Sequence, residues 1–170
     1  MLKPAQDYKE ELERKMRETW GNEKYKYYHC NSYYSPIGIE DDTWNKMQFA
    51  SVNPSGEVIG YLGYSIEREC RYVSGLAVCN FTDNPVFGVD VKEMIKDIFE
   101  KHRFRKIDFY VVIGNPVKYQ YDRMVEIYGG RAVGFRKEHV MLMDGKLYDQ
   151  KLYEILREDY MKKRYGGGAE

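Results

Sequence analysis

The chain has 170 residues, enough for one domain around one sizeable hydrophobic core. Hydrophobic residues make up 43% and charged residues 32%, a globular composition rather than a disordered one. Lys plus Arg and Asp plus Glu are both 27, and this zero formal charge excludes broad affinity for nucleic acid, which needs excess positive charge against phosphates.

The amino-terminal stretch MLKPAQDYKEELERK alternates acid and base and is no signal peptide. No apolar run approaches the ~18 residues that span a bilayer, so no membrane partner and a cytoplasmic location are expected. Residues 5–19 read as a surface helix with Leu12, Met16 and Tyr8 at four-residue spacing, closed by Gly21. Residues 22–43 are Tyr-rich and irregular. A strand is expected over 44–52, a turn at Asn53-Pro54-Ser55-Gly56, a second strand over 58–66 and a third over 72–81. From Gly88 the period changes: Val91, Met94, Ile95, Ile98 and Phe99 form a helical stripe that ends near the cations 101–103. A short buried strand over 107–113 is broken by Gly114-Asn115-Pro116. A helix carrying Tyr121, Met124, Val125 and Tyr128 stops at Gly129-Gly130. A strand over 131–143, a turn at Asp144-Gly145, and a final strand or helix over 146–156 follow, and a frayed tail over 161–170 ends the chain.

Cys30, Cys70 and Cys79 lack metal-ligand spacing and read as reduced thiols. His29, His102 and His139 are scattered, so no metal site is expected.

From Trp44 to Tyr160, about two thirds of the chain, the order of elements and two stretches resemble the GNAT N-acetyltransferase superfamily, in its RimJ/RimL-like branch. The first stretch is VIGYLGYSIERECRYVSGLAVCNF with the helix GVDVKEMIKDIFEKH. The second is IDFYVVIGNP with GGRAVGFRKEHVMLMDGKLYDQKLYEILREDY. The resemblance implies an α/β (α+β) fold: a mixed, mostly antiparallel sheet with a splayed strand pair and flanking helices. It implies one structural domain made of an acceptor-side segment (1–43), an acetyl-CoA-binding core (44–160) and the tail.

A splayed strand leaves backbone groups unpaired, and the two amides of coenzyme A's pantetheine arm can dock on them as a pseudo-strand. By resemblance Leu76, Ala77 and Val78 offer that edge, with the Val78 N–H polarising the thioester carbonyl. A turn opening a helix presents N–H groups to pyrophosphate, which assigns the turn of Asn84, Val86, Phe87, Gly88, Val89 and Asp90 to cofactor binding. The sequence departs from the family loop in carrying Pro85 where Gln or Arg is usual and Asp90 where a small residue is usual. A carboxylate there repels pyrophosphate unless it turns to backbone N–H groups.

The same likeness implies a tyrosine hydroxyl as acid for the departing thiolate. Tyr119, Tyr121 and Tyr128 lie on the helix concerned, with Tyr121 in its middle turns, and core packing is the alternative role. Asn115 is either a cofactor contact or a helix cap. Glu67 and Glu69 are either bases for the amine proton or a solvated hairpin end. Tyr25, Tyr27, Tyr28, Tyr33 and Tyr34 either line an amine pocket or pack on the sheet. The implied partner is a small-molecule or peptide amine, with no nucleic acid, and the chain is a monomer or homodimer. A fold of this type that binds a ligand without catalysis is the second reading.

Overall fold

A computed structural model describes residues 1–41 and 43–166. A short strand β1 (Leu2–Pro4) leads through a 3-10 turn (Ala5–Tyr8) into helix α1 (Lys9–Thr19). A second 3-10 segment covers Glu23–Tyr28. Then come β2 (Lys46–Val52), β3 (Val58–Glu67), β4 (Tyr72–Asn80), α2 (Val86–Lys96), β5 (Lys106–Val112), α3 (Lys118–Tyr128), β6 (Arg131–Met141), β7 (Leu147–Leu156) and α4 (Arg157–Tyr165). The seven strands form one sheet in the order β1-β2-β3-β4-β5-β7-β6. Every neighbouring pair is antiparallel except β4 and β5.

The two faces of the sheet bury different sets of residues, as strand alternation requires. On one face α1 lays Leu12 and Met16 over Ala50, Val52, Val58, Tyr61 and Cys79. On the other, α2, α3 and α4 cover the larger core, which holds Leu62, Val73, Met94, Phe109, Tyr153 and Tyr160. The expected stripe on α2 is the buried one, with Met94, Ile95, Ile98 and Phe99 at 1% exposure or less. Its last two members fall in a π turn (Asp97–Lys101), whose wider winding shows in the bond from His102 N–H to Asp97 O at 2.9 Å. The Phe99 ring thereby packs 4.7 Å from that of Tyr160.

Several boundaries differ from the sequence reading. Trp44 precedes β2 and lies 62% exposed, stacked on the Arg68 guanidinium. The closing segment is both a strand and a helix, β7 and α4. Within the tail expected to fray, residues 161–165 are the end of α4, where the Tyr165 hydroxyl donates to Glu100 at 2.9 Å. Residues 167–170 lie outside the described residues.

One feature of the sheet dominates the rest. β5 pairs with β7 along its whole length, from Lys106↔Leu156 to Val112↔Gln150. Against β4 it pairs only at Tyr72↔Lys106 and Val73↔Ile107. Just beyond, β4 bends. Gly75 takes φ +61, a left-handed value that favours glycine, and the β3–β4 register slips between Gly63 and Ser65. The two parallel strands diverge from there and leave a wedge open toward their carboxyl ends.

Candidate active site

The β4 side of the wedge can be read bond by bond. Phe81 N–H turns to β3 and donates to Ile59 O at 2.9 Å. Asn80 turns the other way: its N–H donates to the Tyr28 hydroxyl at 3.0 Å, and its carbonyl accepts from the same hydroxyl at 2.7 Å. Backbone groups alternate sides along a strand, so Val78, two residues back, also directs its N–H and C=O into the wedge. Among the described residues no strand faces it there, because β4–β5 pairing ends at Val73.

The 3-10 segment Glu23–Tyr28 lies across the wide end. Tyr25 donates to Phe81 O at 3.0 Å, and Tyr28 holds Asn80. Tyr27 packs on the Val112, Val140 and Leu142 cluster at the end of β5. Of the two roles open for these tyrosines, these three pack on the sheet. Tyr34 sits edge-on to Trp20 at 5.9 Å, and Tyr33 is 66% exposed.

On the helix side, Tyr119 is 78% exposed and Tyr128 packs against Tyr160 at 5.4 Å. Tyr121 is placed differently. Its ring stands edge-on to Phe109 (5.4 Å, 88°) and Tyr153 (6.4 Å, 90°), which are themselves stacked at 5.1 Å. Its hydroxyl has no hydrogen-bond partner among the described residues. Burial raises its pKa, as do the Cys79 thiol on β4 and the Tyr110 hydroxyl on β5. Those two neighbours stand on the two strands that bound the wedge.

The next residue, Asp122, fixes this arrangement. It accepts from Lys118 at 2.7 Å, Lys151 at 2.6 Å and the Tyr153 hydroxyl at 2.7 Å. These donors hold its carboxyl well below the usual range. Sequence reasoning missed Asp122, because Lys151 and Tyr153 stand on a strand 29 and 31 residues away.

At the turn into α2 the structure corrects the sequence reading. The Asn84 Oδ1 caps the helix by accepting from Val86 N–H at 3.0 Å, and Phe87 N–H donates to Asn84 O. Gly88 N–H donates to Pro85 O at 3.2 Å. The first-turn donors assigned to pyrophosphate are thus engaged within the turn. Phe87 is buried, in a notch that only a glycine at position 60 allows: a Cβ on Gly60 would lie 2.2 Å from the Phe87 ring. Asp90 neither faces the turn nor caps it. It is 5% exposed and accepts from Ser51 Oγ at 2.6 Å and the Met1 amino group at 2.8 Å, so its charge is turned to the sheet and paired there. Gly88 and Val89 remain on the exposed side.

Asn115 is a cap too, with its Oδ1 accepting from Val117 N–H at 3.1 Å. Leu76 and Ala77 are half-buried on β4. Glu67 and Glu69 do not join the site. Glu67 pairs with Tyr72 at the closed end of the wedge, and Glu69 lies in the hairpin beyond it. Val78 is six positions further along β4, about 20 Å away at ~3.3 Å per residue.

Among the described residues no group of three His, Cys, Asp or Glu side chains is placed to hold a metal ion. No helix among them is long and apolar enough to cross a membrane. Cys30 and Cys70 are exposed free thiols, and burial pushes the Cys79 thiol up to about 12.

The chain has the fold of the GNAT acetyltransferases, with a mixed, mostly antiparallel sheet and flanking helices. The spermidine/spermine N-acetyltransferase SpeG from Vibrio cholerae superposes with a TM-score of 0.60 at 17% identity, over 71% of this chain and 71% of that one. Mutant forms of that enzyme give 0.61 at 17% identity, over 72% and 70%. A chimera of it with hSSAT gives 0.59 at 17% identity, over 71% and 70%. At this identity the likeness is one of fold. No family model matches the sequence, and neither does any curated protein.

Proposed function

We propose that this chain is an N-acetyltransferase of the cytoplasm that moves an acetyl group directly from acetyl-coenzyme A to a primary amine, a protein amino terminus or a small amine. The observation that carries the reading is the wedge with one unpaired strand edge, together with a tyrosine hydroxyl, unpartnered among the described residues, on the helix that packs against its β5 wall. Coenzyme A fits at this end: Leu76, Ala77 and Val78 would hold its amide arm, and bound there it supplies an activated thioester. At the other end the fit is looser, since Val86, Phe87 and Gly88 spend their N–H groups on the turn itself. The side-chain NH2 groups of Asn84 and Asn115 are left as donors there.

The residues divide the work. Val78 N–H, directed into the wedge, stabilises negative charge on a carbonyl oxygen. Tyr121 keeps its proton on Oη across the physiological range, because burial disfavours the phenolate. It therefore donates to a departing thiolate. The positions of Glu67 and Glu69 leave the amine to lose its proton to water or to enter as the free base. The spermidine/spermine N-acetyltransferase of the same fold supports an amine acceptor.

The alternative is a ligand-binding fold without catalysis, favoured by the engaged α2 turn and by Tyr28 at the end of the edge. Titrating acetyl-coenzyme A while following thermal unfolding separates the two, because a ligand of the folded state raises its stability by mass action. The expected result is a saturable rise in Tm, with thiol release on adding amines. Tyr121→Phe is expected to lower turnover at least about tenfold with cofactor affinity nearly unchanged. No rise in Tm at about 1 mM cofactor would sink the enzyme reading.

A further inference from the structure

The closed end of the wedge holds a cavity that acetyl transfer does not use. It lies on the face covered by α2, has a volume of about 360 Å³, and is floored by Met47, Tyr64, Ile66 and Phe104. Its rim carries Arg68, Arg71 and His102, and among the described residues no acidic side chain lines it. None of the three has a carboxylate within ion-pair distance among the described residues, and neither do Arg103 and Arg105 nearby. Arg68 is held in place by stacking on Trp44 with 3.6 Å to the ring centre, and by donating to the Trp44 carbonyl. Arg71 takes φ +51 and donates to Arg103 O at 3.4 Å, which ties the hairpin to the segment after α2.

Tyr64 supplies the second observation. It is 2% exposed, and its hydroxyl has no hydrogen-bond partner among the described residues. It falls where the β3–β4 register slips, between Gly63↔Ala77 and Ser65↔Ser74, so the bulge re-aims it. Tyr64 lines the cavity and its hydroxyl is not closed off in the core, so it can donate to an oxygen held there. Burial and, after it, the charge of Asp97 raise the Tyr64 pKa, and Asp97 is itself paired with Lys101 at 3.7 Å. A neighbouring cavity shares Ile66 and Arg68 but is lined by Glu40, Glu67 and Glu69 as well, so it lacks this charge bias.

We infer that this cavity binds a small aromatic anion, an aryl carboxylate or aryl phosphate. The ring rests on Met47, Ile66 and Phe104, the anionic group meets Arg68, Arg71 and His102, and an oxygen of the ligand accepts from Tyr64. Guanidinium forks suit such oxyanions because they donate in pairs. The volume is within the range of small-ligand pockets.

Calorimetric titration at about 150 mM KCl, where exposed charges are largely screened, tests it with four probes: phenyl phosphate, benzoate, inorganic phosphate and phenol. At least one aromatic anion is expected to bind at a single saturable site, about tenfold or more tighter than inorganic phosphate or phenol. Which of the two binds tighter distinguishes phosphate from carboxylate ligands. Arg71→Asn is expected to weaken it about tenfold. Tyr64→Phe is expected to weaken it about threefold or more while Tm stays level or rises, since the lost hydroxyl had no partner. The inference fails if neither aromatic anion binds, if inorganic phosphate binds as well as they do, or if both variants bind like the parent chain.

Discussion

The two strands that bound the wedge end alike and then diverge in character. β4 and β5 both run into Asn-Pro-Val, and each Asn side chain accepts from the N–H two residues on, at 3.0 Å for Asn84 and 3.1 Å for Asn115. Each turn feeds a helix of 11 residues. Past the caps, α2 is drawn onto the sheet by Phe87 in the Gly60 notch and by Asp90 on Ser51. α3 stands off, tied through the Asp122 ion pairs and through ring edges, and it leaves Tyr121 with a hydroxyl to spare. One local device therefore builds two walls: one locked to the sheet and one that keeps a hydroxyl uncommitted among the described residues.

This contrast can be broken at three places. The largest effect is expected for Asp90→Ala, which strands the hydroxyl of Ser51, a residue at 0% exposure, and should cost ~2–3 kcal/mol in urea unfolding. Acetyl-coenzyme A affinity should stay within about threefold, because the carboxylate points away from the turn. Marked tightening would mean that Asp90 faces the ligand after all.

Asp122→Asn comes next, at ~1–2 kcal/mol near neutral pH after allowance for its partial exposure. The folded chain holds this carboxyl below its unfolded value, so its contribution is present above roughly pH 4 and fades as pH falls through the folded pKa. Parent and variant should therefore converge in stability toward acid. A gap that persists at low pH would exclude the ion pairs as its source. Turnover should fall as well, because the Tyr153 ring that backs Tyr121 loses its anchor.

The smallest effects belong to the caps. Asn84→Ala and Asn115→Ala should each cost ~0.5–1 kcal/mol, and by similar amounts. Losses that differ by more than about 1 kcal/mol would show that the two turns are not equivalent.

Features set by local spacing were legible in the sequence. The α2 stripe, the Asn53 turn with Gly56 N–H on Asn53 O, and the strand preceding Asn115 all follow from neighbours in the chain. The place of Tyr121 in the middle turns of α3 was legible, but not its hydroxyl without a partner among the described residues. What stayed hidden depends on distant partners. Tyr28 meets Asn80 across 52 positions and Asp90 meets Ser51 across 39, and nothing local announces either. Glu67 and Glu69 stand at the hairpin end as read, but their distance from the open part of the wedge was not legible. The sequence marks the hairpin end, but only the Tyr72↔Lys106 pairing decides that the wedge closes there rather than opens. Arg68, Arg71 and His102 likewise converge only because the hairpin and the segment after α2 meet beside that pairing.

The Tyr28 hydroxyl has one more consequence. By taking both the N–H and the C=O of Asn80, it acts as a stop at the mouth of the wedge, while the pairing at Val73 is a stop at its root. Between them lies only the stretch from Ser74 to Cys79, about 20 Å at ~3.3 Å per residue. The edge is thus a ruler: a guest chain that lies along it has a maximum length, and one hydroxyl group sets it.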